Sequence, residues 1–197
     1  MNKKQITNNK NIVNFLFEAA TLKRLQRTGW QILGDNKESI AEHSFMVAVI
    51  GYLLATELKA DVQKVLTMGL FHDLSETRIG DVYKLADLYV QVETMKAVKD
   101  VFSNLPNSGK IISLIQEYED EKTLEAKIVH DADTLALMIE LKQLMENGNI
   151  NAKEWFLGNF DALRLDLSKK LAKQIQNSNS QDWWKREREK IHKSYKK

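Results

Sequence analysis

Apolar residues along this chain recur three and four positions apart in most windows, and the alternation that marks strands is nearly absent. The pattern predicts eight or so helices. The first runs from about Ile12 to Arg27, and Gly29 with the polar stretch Gly34 to Glu38 separates it from the next. Ser39 reads as an N-cap with Glu42 three residues on, a capping box that opens a helix reaching about Lys59. Asp61 caps a third helix, Val62 to about Thr77, which Gly80-Asp81 breaks. Helices are further expected over about Leu85 to Phe102, from the loop Asn104 to Gly109 up to about Tyr118, and over about Lys122 to Glu146, Phe160 to Gln176 and Asp182 to Tyr195. The predicted fold class is all-α, and no internal repeat or long linker divides residues 1–197, so one domain is expected.

Several ionisable residues fall on apolar faces. His43 shares a stripe with Ile40, Val47, Ile50 and Leu54. Val65, Gly69, His72 and Glu76 share another, with Asp73 on the adjoining face after Leu66 and Leu70. On the long helix, Asp133 lines up with Val129, Ala136 and Leu137. A buried ionised carboxylate is costly unless it is paired or bound to metal. Two inward Asp and two inward His therefore call for a partner, and a divalent cation is an economical one. Each residue alone has a plainer account: a hydrogen-bonded core histidine, or Asp133 paired with Lys127 or with an Arg from another helix. Neighbours such as His72 and Asp73 diverge by about 100° on a helix. They converge on one ion only if it sits between their directions and other helices close the shell.

Composition narrows the reading. A single Pro in 197 residues agrees with helices. The absence of Cys excludes a disulfide scaffold, a zinc ribbon and a Cys nucleophile. With Lys plus Arg at 29 and Asp plus Glu at 27, the net charge of +2 gives no case for bulk nucleic-acid binding. The longest apolar run, Phe45 to Ala55, is short of the roughly 20 residues of a membrane span, and Met1 to Asn11 lacks the apolar stretch of a signal peptide. A cytoplasmic location with no membrane contact is expected. The basic tail from Trp183 carries Trp184 and Tyr195, and its aromatics are expected to pack on the body rather than to bind nucleic acid or membrane.

Ala41-Glu42-His43-Ser44, Phe71-His72-Asp73-Leu74-Ser75-Glu76, Gly80-Asp81 and Asp131-Ala132-Asp133 resemble the H…HD…D signature of HD-domain metal-dependent phosphohydrolases. The segment Leu22 to Trp30, Glu119 and the run Leu124 to Lys127 are similar to the branch holding bacterial 5'-deoxynucleotidases of the YfbR type and the eukaryotic HD-domain-containing protein 2. The resemblance covers about residues 12–146 as the core, and the C-terminal helices over 150–197 are less distinctive. It implies a helical bundle around one divalent ion, held by His43, His72, Asp73 and Asp133, with Asp131 as the competing last ligand. It implies Glu76 and Asp81 as catalytic groups near the attacking water, Arg27 on the phosphate and Trp30 at the sugar. Mn, Co or Mg is the expected metal, with Zn, Ni or Fe as further options. The expected reaction is hydrolysis of (deoxy)nucleoside 5'-monophosphates by a homodimer. Cleavage of a nucleoside triphosphate or a phosphodiester, or non-catalytic metal or nucleotide binding, are the alternatives. A departure follows Gly80-Asp81, where Val82-Tyr83-Lys84-Leu85 stands in place of the Pro-containing segment often found there.

Overall fold

The computed structural model describes residues 3–34 and 38–195. Eleven α-helices follow one another among them: α1 (Lys3–Ala19), α2 (Trp30–Leu33), α3 (Ile40–Glu57), α4 (Val62–Phe71), α5 (Glu76–Ile79), α6 (Thr94–Phe102), α7 (Ser108–Asp120), α8 (Leu124–Glu146), α9 (Ala152–Gly158), α10 (Asp166–Asn177) and α11 (Lys185–Ser194). No strand is assigned among the described residues, so the all-α expectation stands.

α3 and α8 form the centre, with α4 against both and α9 and α10 packed on α8. Small residues let α3 and α4 approach. A Cβ on Gly69 would lie 3.6 Å from the Ala48 backbone, and one on Gly51 would lie 3.0 Å from Val65 Cγ1. One core cluster joins Trp30, Val47, Leu54, Met68, Leu135, Leu141 and Phe156 and reaches Ala172 in α10. A second gathers Leu22, Ile40, Leu74, Val98, Phe102 and Ile115, where Phe15, Phe71 and Phe102 meet edge-on or tilted with centroids 5.6–6.5 Å apart. The predicted capping box is present: Glu42 N–H donates to Ser39 Oγ, and Glu42 Oε2 accepts from Ser39 N–H at 2.7 Å.

Five expectations are corrected, among them the third helix, which stops at Phe71 rather than near Thr77 and gives way to a turn before α5. The first helix does not run to Arg27. It gives way at Ala19 to a 3₁₀ turn over Ala20–Lys23, after which the chain extends. Gln26 then pairs antiparallel with Ser39, a long-range contact that local periodicity cannot register. The helix expected over Leu85 to Phe102 begins only at Thr94, after a single 3₁₀ turn at Ala86–Leu88; Tyr89, Val90 and Val92 are poor helix formers. Helix α9 was not expected, and α10 starts at Asp166 rather than near Phe160. The C-terminal aromatics do not pack on the body. Trp183 is 82% and Tyr195 78% exposed, while Trp184, the residue that precedes α11, is covered by the Arg188 guanidinium of that helix, 5.1 Å from the ring centroid.

By length and hydropathy α3 alone among the described helices is apolar enough to cross a membrane, more than the run Phe45 to Ala55 suggests. Its position between α4 and α8 explains the composition, since His43, Val47, Ile50 and Leu54 all face the interior.

Candidate metal centre

Three local structures bring the site together. His43 stands in the first turn of α3, fixed by the capping box. His72 ends α4, where the backbone tightens to i→i+3 hydrogen bonds (Leu74 N–H to Phe71 O at 3.2 Å, Glu76 N–H to Asp73 O at 3.0 Å). His72 and Asp73 therefore sit in a tight turn rather than on one continuous helix, which is how these neighbours reach a common point. Asp133 comes from the middle of α8.

The donor atoms converge. His43 Nε2 lies 3.0 Å from Asp133 Oδ1 and 3.9 Å from Asp73 Oδ2, and His72 Nε2 lies 3.1 Å from Asp73 Oδ2. Donors of His43, His72 and Asp73 all fall within 4.8 Å of one another. Both histidines are buried, and neither Nε2 makes an aligned hydrogen bond despite these short approaches. His72 Nδ1 lies 2.9 Å from Gly69 O. A carbonyl oxygen only accepts, so Nδ1 carries the proton and Nε2 is left to face Asp73. Two donors at right angles on an ion, each about 2.1 Å from it, are about 3.0 Å apart. The 3.0 and 3.1 Å separations match such edges, and two orphaned, buried imidazole nitrogens beside two carboxylates suit a divalent cation.

Arg27 reaches the same point from the extended segment. Its NH1 donates to Asp73 Oδ2 at 3.3 Å, and NH2 lies 4.0 Å from Asp133 Oδ1. Burial works against its charge, but Asp133 and Asp73 hold its pKa above the usual arginine value. Burial would likewise raise Asp73 and Asp133; His72 and Arg27 at the first, His43 and Arg27 at the second, keep both below the ordinary carboxylate range. Glu76 opens α5 one turn on, with a buried Oε2 that has no hydrogen-bond partner. Burial and the nearby charges of Asp73 and Asp81 push its pKa up to about 10. Asp81 follows Gly80, whose φ of 74° and ψ of 164° are open essentially to glycine alone. One Asp81 oxygen accepts from both the backbone N–H and the hydroxyl of Thr28, so the loop after α5 is tied to the Arg27 segment.

Asp131 and Asp133 part company. Asp131 is fully buried and accepts the backbone N–H of Arg164 and of Leu165, each at 2.9 Å, ahead of α10. Asp133 is the one at the imidazoles, and it is partly buried, its side chain 31% exposed. Along α8, Val129, Asp131, Ala132, Leu135, Ala136 and Met138 are all buried, so an inward position there did not distinguish the two. His130 is held at 2.9 Å by Tyr118 O and stacks on the Tyr118 ring at 4.0 Å.

A cavity of about 720 Å³ opens beside these residues, lined by Arg27, Trp30, Asp81, Tyr83, Tyr118, Asp133, Leu137 and Trp155 among others. Trp30 touches it only at an edge, being 2% exposed, and its indole N–H donates to Glu38 Oε2 at 2.9 Å. Glu38 and Thr28 were not singled out in the sequence. Glu38 directly precedes the capping box, and only its pairing across the chain reveals it.

Residues 19–178 match the HD domain. The chain belongs to the HD domain family. That match extends through α10, further along the chain than the 12–146 of the sequence resemblance. Among curated HD domain relatives, 5'-deoxynucleotidase HDDC2 of Dictyostelium discoideum is 33% identical over 144 residues, 66% of this chain and 75% of that protein. Its namesake from Danio rerio is 28% identical over 143 residues, 69% of this chain and 70% of that one. A conserved hypothetical protein from Pyrococcus furiosus superposes with a TM-score of 0.74 at 33% identity, covering 84% of this chain and 99% of its own.

Proposed function

We propose that this chain is a divalent-metal-dependent 5'-nucleotidase, hydrolysing (deoxy)nucleoside 5'-monophosphates to nucleoside and phosphate. The observation that carries the reading is the approach of His43 Nε2, His72 Nε2, Asp73 and Asp133 to one point beside an open cavity. Relatives named 5'-deoxynucleotidases support the substrate class. His43, His72, Asp73 and Asp133 are the ligands in this reading. A donor set of two imidazoles and two carboxylates, without thiolates, would suit Mn, Co or Mg. A cation held there lowers the pKa of its water and polarises a phosphoryl oxygen.

The chain supplies the rest. Arg27 clamps phosphate through its planar fork. The nucleoside lies in the cavity, whose volume of about 720 Å³ falls in the usual range for small-molecule sites. Trp30 shapes the wall behind it. Burial and its acidic neighbours hold Glu76 protonated in the bare chain. With a cation offsetting the Asp73 and Asp81 charges it would ionise and take the proton that the attacking water gives up, and Asp81, steadied by Thr28, serves the leaving 5'-oxygen. A panel of nucleoside mono- and triphosphates, with inorganic phosphate read after Mn²⁺ addition, tests this. Monophosphates are expected to turn over and EDTA to stop them. Triphosphate turnover without monophosphate turnover overturns the substrate class.

The reading extends to a homodimer on the outer face of α3. Phe45, Val49, Tyr52 and Leu53 are 64, 39, 49 and 60% exposed there. The groove they share with Ala48 and Leu66 has no charged side chain. A two-fold axis lets such an uncharged apolar face pair with itself. Sedimentation at micromolar concentration is expected to show twice the 22.7 kDa chain mass, and a monomer overturns the assembly.

A further inference from the structure

The two imidazoles at the centre face the same requirement: each must carry its proton on Nδ1 so that Nε2 is free to bind. For His72 the Gly69 carbonyl meets it, at 2.9 Å. For His43 no backbone oxygen does, and its Nδ1 is buried without a hydrogen bond. The group that faces His43 Nδ1 is a carboxylate: Glu38 Oε1, 3.9 Å away and 6% exposed. Glu38 is held from two sides. Its Oε2 accepts the Trp30 indole N–H at 2.9 Å, and its backbone oxygen accepts Arg27 N–H at 3.0 Å beside the Gln26–Ser39 pair.

We propose that Glu38 is the positioning residue for His43: its Oε1, closing from 3.9 Å to hydrogen-bond distance, accepts from Nδ1–H and so fixes Nε2 as the metal-binding nitrogen, while Trp30 sets the direction of the carboxylate. This rests on the metal reading above. It gives Trp30 a second task, since the indole steers a ligand without touching the ion. A carboxylate behind a ligating imidazole also raises its basicity, and losing such a partner typically costs 10–100-fold in metal affinity.

Glu38→Gln separates this role from packing. The amide matches the carboxylate in shape but has one acceptor where two donors, Trp30 Nε1–H and His43 Nδ1–H, need one each. If its oxygen stays on Trp30, its NH₂ faces His43 and selects the tautomer with Nε2 protonated, the wrong one for binding. Removing the indole donor takes away its claim on the amide oxygen, which can then turn to His43. Mn²⁺ binding to the full chain, by isothermal titration calorimetry at pH 7, is therefore expected to weaken about 10–100-fold in Glu38→Gln. It is expected to recover in part in Glu38→Gln with Trp30→Phe, with the metal-free unfolding midpoint of Glu38→Gln close to wild type. Should Glu38→Gln fold poorly, Trp30→Phe alone serves as the second variant, because it keeps the carboxylate and removes only its tether; a loss of Mn²⁺ affinity is again expected. Wild-type binding with Glu38→Gln within twofold of it, or a double variant no tighter than the single, overturns the inference. A wild-type chain that takes up no Mn²⁺ overturns the metal reading and this step with it.

Discussion

Replacing Asp73 by Ala is expected to remove bound metal and phosphatase activity together. Asp73 Oδ2 approaches both imidazoles, 3.1 Å from His72 Nε2 and 3.9 Å from His43 Nε2, and it also accepts from Arg27. Its loss takes away a charged donor and the group that orients the phosphate clamp. A supporting partner of a ligand is worth about 10–100-fold in affinity, so loss of the ligand itself should exceed 100-fold. The fold should survive, because Asp73 belongs to neither apolar core cluster and buried Arg27 keeps Asp133, 4.0 Å away, as a charge partner. Asp131→Ala is the matched control, two residues from Asp133 on the same helix. It leaves the N–H groups of Arg164 and Leu165 without their acceptor, which costs about 2–3 kcal/mol of stability while metal is retained. Metal content by mass spectrometry after gel filtration, read beside urea denaturation, distinguishes the two profiles. An Asp73→Ala chain that keeps both its metal and its rate would remove the basis for the site.

Much of the centre was legible because its residues lie close to strong local signals. Ser39 and Glu42 mark where α3 begins, and His43 follows at once. His72 and Asp73 stand where α4 stops, four and three residues before Glu76. Periodicity read the direction of His43 correctly because α3 does have an outer face, the one with Phe45 and Leu53. It said less about α8, which is enclosed along the stretch holding both Asp131 and Asp133. What stayed hidden depends on contacts between distant parts of the chain. Arg27 reaches Asp73 only because the chain leaves the helix at Ala19 and pairs Gln26 with Ser39. The same pairing sets Glu38 behind His43, and no spacing rule links residues 27, 38 and 73. The tail misled for a related reason: Trp183 and Tyr195 are apolar enough to suggest burial, but no surface of the body meets them.

Glu76→Gln is expected to lower kcat by about 10²–10⁴ while KM and bound metal change little. Two roles suit a carboxylate at this place: proton transfer with water, or a hydrogen bond that steadies His72. The second has no donor left to use. His72 Nδ1 is committed to Gly69 O, and its Nε2 faces Asp73. Glu76 Oε2 is buried with no partner of its own, whereas Asp81 already spends one oxygen on Thr28. Among the acidic groups here, Glu76 therefore has an oxygen free for a reacting water. Glutamine keeps the volume and the burial but cannot take up a proton, so a loss confined to kcat marks proton transfer. A role in steadying His72 gives the opposite split, with metal affinity falling and kcat at saturating metal preserved. Steady-state kinetics across Mn²⁺ concentrations separates the two, and a Glu76→Gln enzyme with unchanged kcat at saturation would assign the proton to another group.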